Sequence, residues 1–132
     1  MDLYEWTKHY ISFRDCIKKQ IVKQEFEEDS VLVEEKKGNK EYYINQDLGK
    51  LIPKIKDGIK TFLVCENTEK NIHILVKEWD ELIKNKEITI IFANAKTNQS
   101  WLINPRLHSH ISERDKLKEG LISLCNGITR VD

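Results

Sequence analysis

The chain has no net charge: its 22 basic and 22 acidic side chains cancel, and the isoelectric point lies near 6.9. Without a global field nothing draws it toward phosphate backbones or anionic lipid, so nucleic-acid binding is not its expected role. Long apolar runs are missing as well; none approaches the ~20 residues that a membrane-spanning helix needs. The polar and aromatic start, Met1 to Lys8, lacks the apolar core of a secretory signal. Cysteines are few and odd in number, three, at Cys16, Cys65 and Cys125. Far apart and beside apolar residues, they read as buried thiols in a reducing compartment, not as a disulfide framework. Repeats and low-complexity tracts are absent. No set of residues has the spacing that a named chemistry requires. These absences together lead us to expect a cytoplasmic, soluble, non-catalytic binding or protein-interaction domain. Its expected partner is a second copy or another protein, with no membrane contact and no cofactor required.

What is present is architecture. The 132 residues suit one domain with a core that needs no disulfide or metal. Two short runs, Thr61 to Cys65 and Ile88 to Ala93, are apolar without alternation, as strands covered on both faces are. Between them Ile72, Leu75, Val76, Trp79, Leu82 and Ile83 align on one face of a helix from about Glu69 to Lys84. This predicts a parallel βαβ unit at the centre of a sheet. Upstream, Leu3, Trp6, Tyr10, Phe13, Ile17 and Ile21 recur at steps of three and four, which predicts a helix with that stripe inward. Ile21 to Phe26 is read as a strand. Val31 to Lys36 and Lys40 to Asn45 should form a hairpin whose Gly38-Asn39 pair supplies the positive φ of the turn. Asp47 should cap a short helix through Ile55 that Gly58 terminates. After Asn94 to Gln99, Trp101 to Ile103 should run antiparallel and end at Pro105. Ser112 with Asp115 should open a last helix with Leu117, Leu121, Leu124 and Ile128 inward. The expected fold is an α/β, three-layer single domain: a mixed sheet of N-terminal antiparallel meander and central parallel unit, with helices on both faces.

Three groups carry candidate chemistry. In open α/β sheets ligands sit at the carboxyl ends of parallel strands, where this chain places Cys65, Glu66, Asn67 and Asn94, a set able to hold a small polar ligand. A helix starting near Thr68 would favour the Cys65 thiolate, while Asn67 or Thr68 is the expected cap of that helix. His108 and His110, two apart in an expected extended segment, would face one side and could share a transition metal, given a third ligand from His9, His73, Cys65 or a carboxylate. Glu34-Glu35-Lys36 reads as Glu-x-Lys, a pattern in which a carboxylate holds Mg²⁺ or Mn²⁺ and a lysine positions water. Over residues 1 to about 66 the order helix, three strands, helix, strand resembles the core of the restriction-endonuclease-like superfamily. That resemblance implies a divalent-metal nuclease, or a degenerate relative that binds nucleic acid, with Glu34 as a metal ligand. The superfamily's Glu-x-Lys belongs on the third strand, where this chain has Glu41, Tyr42 and Tyr43. Lys50, Lys54, Lys56 and Lys60, with Arg106 and Arg114, are the basic groups that could meet phosphate. Trp6, Trp79 and Trp101 are read as core.

Overall fold

The computed structural model describes residues 1–85, 87–110 and 114–132. Helix α1 spans Leu3–Lys18 and begins where the Asp2 carboxylate accepts the Glu5 N–H at 2.8 Å. Lys19, at φ 50°, turns the chain back, and Asp15 Oδ1 accepts the N–H groups of Gln20 and Ile21 to fix that turn. Strands β1 (Ile21–Phe26), β2 (Ser30–Glu35) and β3 (Gly38–Ile44) form the expected meander. The hairpin is tighter than its composition suggested. Glu35 pairs with Gly38, so Lys36 and Lys37 make the turn and Gly38, at φ +135°, opens β3. Extending the ladder through Glu34–Asn39 and Glu35–Gly38 gains pairing that a turn at Gly38-Asn39 would forfeit.

Asp47 accepts from Gly49 N–H and caps α2 (Leu48–Leu51); a 3₁₀ turn, Ile52–Lys54, follows because Pro53 has no N–H to continue the helix. Gly58, at φ +78°, lies in the later turn before β4 (Lys60–Glu66) and is not the helix stop expected of it. The crossover helix is broken at Glu78 (φ −93°, ψ 7°) into α3 (Glu69–Lys77) and α4 (Trp79–Leu82). Ile72, Leu75, Trp79 and Leu82 are nevertheless buried, as their spacing predicted. Strand β5 (Ile88–Asn94) leads through a turn to β6 (Gln99–Ile103). Pro105 ends β6 but also opens a helix, α5 (Pro105–Ser109), with Asn104 as its cap. The last helix is α6 (Leu117–Cys125). Its inner stripe is Leu117, Leu121 and Cys125; Leu124 is exposed, because a straight helix places i+4 and i+8 inward in preference to i+7 here. Ser112, half of the expected capping box, lies outside the described residues.

The strands pair in chain order, β1-β2-β3-β4-β5-β6. β3, β4 and β5 are mutually parallel and every other pair is antiparallel, so the predicted βαβ unit is the centre of a single mixed α/β domain. Helices α2, α3, α4 and α6 pack on one face, over Leu63, Cys65, Ile88, Ile90 and Phe92. On the other, α1 lays Leu3, Trp6 and Ile11 over Val31, Val33, Tyr42, Val64 and Ile91. Beyond Ile11 the helix lifts off: Phe13 and Ile17, expected inward, are 74% and 80% exposed. Cys16 is exposed too, contrary to the reading of three buried thiols. Trp6 and Trp79 are buried and Trp101 packs on the helix-rich side, stacked on Phe92 at 4.4 Å. Among the described residues no helix is long and apolar enough to cross a membrane.

Candidate functional site

The carboxyl ends of β4 and β5 bring Cys65, Glu66, Asn67 and Asn94 together, and the chain's last residues lie across them. Asn67 is fully buried; its Oδ1 accepts from Trp101 Nε1 at 2.8 Å and its Nδ2 donates to Cys125 O at 2.9 Å and Thr129 O at 3.4 Å. Its backbone donates to Ala93 O and accepts from Val131 N–H. Asn94 Oδ1 accepts the N–H groups of Lys96 and Thr97, shaping the turn into β6, while its Nδ2 donates to Thr129 O at 3.2 Å. Thr129 N–H in turn donates to Gln99 Oε1 at 3.1 Å. The two amides therefore hold the main chain of the C-terminal segment. Thr68, not Asn67, caps α3, by accepting from Asn71 N–H.

Cys65 and Glu66 differ from the amides and from each other. Alternation on β4 turns Cys65 toward the helix-rich core and Glu66 toward the α1 face. The Cys65 thiol is wholly buried, and burial pushes its pKa well up, with the nearby Glu66 and Asp47 carboxylates adding to the shift. Burial thus outweighs the helix dipole that would favour a thiolate. The Glu66 carboxyl is also raised, with burial as the cause. It carries no hydrogen bond or ion pair with another described residue. Glu66 lines a hollow of about 610 Å³, bounded by Leu3 at the start of α1, by Gln46 and Asn94 at strand ends, and by Thr129 and Val131.

Sequence reasoning missed Asn71, which is buried at the root of α3. Its Oδ1 accepts Leu48 N–H at 2.9 Å and its Nδ2 donates to the carbonyls of Gln46 and Glu66, each at 2.8 Å. The available signal was an amide four residues before Leu75, on the apolar stripe.

The histidine pair is placed differently from expectation. His108 lies in α5 and His110 caps its end with helical geometry, so the two rings do not share a side as they would in extended chain. His108 instead meets the edge of Trp79, ring centres 5.8 Å apart. His9 is exposed, and exposed His73 faces Glu69 at 3.5 Å. Among the described residues no three His, Cys, Asp or Glu side chains could hold a metal together.

Glu34 and Glu35 end β2, and Lys36 starts the turn. Glu35 faces α1 and pairs with Lys40 at 3.0 Å; Glu34 faces the other way. There it shares an open trough of about 360 Å³ with Lys23, Glu25, Leu32 and Glu41. Lys23 pairs with Glu25 at 3.2 Å, and Glu41 accepts from Tyr43 Oη at 2.6 Å. Burial, then that bond to Glu41, pushes the Tyr43 phenol up to about 12. Of the basic residues near α2, Lys54 pairs with Asp29 and lies over the Tyr43 ring.

On the α1 face a groove of about 850 Å³ separates α1 from the β5–β6 turn, lined by Met1, His9, Tyr10, Phe13, Ala95, Lys96 and Asn98. Trp6 Nε1 donates to Asn98 Oδ1 at 2.9 Å and closes one end. Leu102 pairs with Ile91, which packs under α1, so Leu102 shares this face and is 49% exposed. Comparison with protein-family models, curated proteins and solved structures finds no match for this chain.

Proposed function

We propose that the protein is a non-catalytic interaction domain of the cytoplasm that pairs with a second copy of itself through the α1 face of its sheet. The observation that carries this reading is the exposure of Phe13 and Ile17 on α1 and of Leu102 on β6, all on the face that α1 alone covers among the described residues. With Met1, which is 69% exposed, these side chains leave roughly 500 Å² of apolar surface in water, counting 150–250 Å² per large side chain. Summed over these side chains, of which Met1 and Phe13 line one groove, that area is comparable to the biggest patch on a typical monomer. It also matches the apolar share, about 65%, of the ~800 Å² that each partner contributes to a standard homodimer interface.

A second copy suits the surface: the strip left bare on this face lies along β6, at the margin of the sheet, where Leu102 is exposed beside the buried Ile91 and Ala93 of β5. The α1 helix of another copy brings apolar side chains on its outer flank, and the zero net charge sets up no long-range repulsion between copies. Sedimentation equilibrium on the wild type and on the double variant Phe13→Glu, Ile17→Glu tests this. The wild type should be a dimer at micromolar concentration and the variant at least 100-fold weaker, with an unchanged circular dichroism spectrum. A wild type that stays monomeric up to about 1 mM would sink the proposal.

A second reading, a nuclease-like protein that needs Mg²⁺ or Mn²⁺, is favoured by one observation: Glu34 lies in an open trough with Lys23 on the uncovered side of the meander, where any ion would draw the rest of its ligands from water and phosphate. On this reading wild type cleaves or retains DNA or RNA at low salt with Mn²⁺ present, and Glu34→Ala does neither. Inactivity of the wild type under those conditions removes it.

A further inference from the structure

We propose that the hollow between the start of α1 and the carboxyl ends of β3, β4 and β5 binds a small organic cation carrying a primary ammonium, with Glu66 as its anionic partner. The hollow, about 610 Å³, has the size of a small-molecule site and lies where open α/β sheets place their ligands. Its other polar side chains are for the most part engaged or, like Gln46 and Lys96, exposed to water. Asn94 spends its amide on Lys96, Thr97 and Thr129, Asp2 caps α1, and Arg130 pairs with Glu69 and Asp132. Glu66 stands apart: a half-buried carboxylate, partly withdrawn from water, without a side-chain hydrogen bond or an ion pair among the described residues. Even in the neighbouring hollow of about 470 Å³, which Glu66 also borders, Lys70 pairs with Asp47 and not with it. Taking an anion from water without a partner is unfavourable, and a bound cation would supply what the fold leaves out.

The chemistry of the lining selects the cation. A hard divalent ion wants six or more oxygens, and among the described residues no group of three ligating side chains exists to provide them. A quaternary ammonium is held by aromatic faces, and the hollow's lining has none. A primary ammonium offers three N–H donors to the Glu66 carboxylate and the Gln46 amide oxygen, while a short alkyl chain fits against Leu3 and Val131. This inference rests on a different observation from the dimer, although Met1, Ala95 and Lys96 border both this hollow and the groove beside α1.

The test is a backbone-amide NMR titration of the full chain with n-butylammonium chloride, using tetramethylammonium chloride and sodium butyrate as controls. Saturable shifts at Gln46, Glu66, Asn94 and Val131 with butylammonium alone, weakened tenfold or more in Glu66→Gln, are expected. The wild-type Glu66 carboxyl-carbon resonance should move with the same saturation curve, a readout that needs no variant. The proposal is overturned if butylammonium does not saturate below about 10 mM. Equal binding by Glu66→Gln, an equal response to tetramethylammonium or butyrate, or a still Glu66 carboxyl resonance at saturation would overturn it as well.

Discussion

Among the described residues one side of the sheet carries α2 to α6 and the other carries α1 alone, although the same strands build both. The difference follows from the connections. Passing from β3 to β4 and from β4 to β5, the chain moves in one direction across the sheet, and right-handed crossovers then put α2, α3 and α4 on a single side. The antiparallel links, β1 to β2 to β3 and β5 to β6, need only turns and so contribute no cover. The opposite side depends on α1, which packs over the middle and leaves the margins uncovered. The lesson is that a connection's handedness, rather than any local preference, decided where apolar surface stayed wet.

Each side buries one tryptophan, Trp79 under the helix-rich layer and Trp6 beneath α1, and the pair gives the largest test of the contrast. Trp79→Ala should cost about 4–5 kcal/mol in urea unfolding, since the surrounding helices hold the cavity open. Trp6→Ala should cost about 3 kcal/mol, because α1 can settle toward the groove beside it. Equal losses would mean that the two layers are equally rigid. Next in size, Asn67→Ala should destabilise by about 3 kcal/mol, as Trp101 Nε1 and the Cys125 and Thr129 carbonyls lose their partner at the seam between the layers. The smallest effect sharpens the comparison at Glu66. Its carboxyl pKa is raised in the folded state, so the native protein favours the protonated form. Its share of stability is therefore fully present below the unfolded glutamate pKa and lost as pH rises through the higher, folded value. Glu66→Gln should melt slightly above wild type near neutrality, and the gap should close in acid; thermal melts across pH check this. Asp2, Lys96 and Arg130 around the same hollow, and Asp47, Lys50, Lys70 and Asp132 around the next, are present in both proteins.

The parts of this fold that were legible are those where both faces of an element are occupied. Strands β4 and β5 announced themselves by unbroken apolar runs, and Ile72, Leu75, Trp79 and Leu82 by their period. Periodicity cannot say which turns of a helix have something beneath them, and so Phe13 and Ile17 read as inward although α1 leaves the sheet after Ile11. Proline after β6 was legible as a stop but not as the first residue of a helix, so the histidine pair was read in the wrong geometry. At the crevice the four side chains were placed at the correct strand ends. What separated Glu66 from Asn67 and Asn94 was the C-terminal segment lying across the amides, a contact between residues more than thirty apart that local pattern does not contain.

The sheet grows strictly in the order in which its strands are synthesised, from β1 to β6. On a ribosome each new strand finds its neighbour already in place, and none has to be threaded between two finished ones. Loop closure is short at every step except the two helical crossovers, so those are where assembly should slow. Until β6 docks, the growing rim is always the newest strand, while β1 stays the fixed rim on the far side throughout.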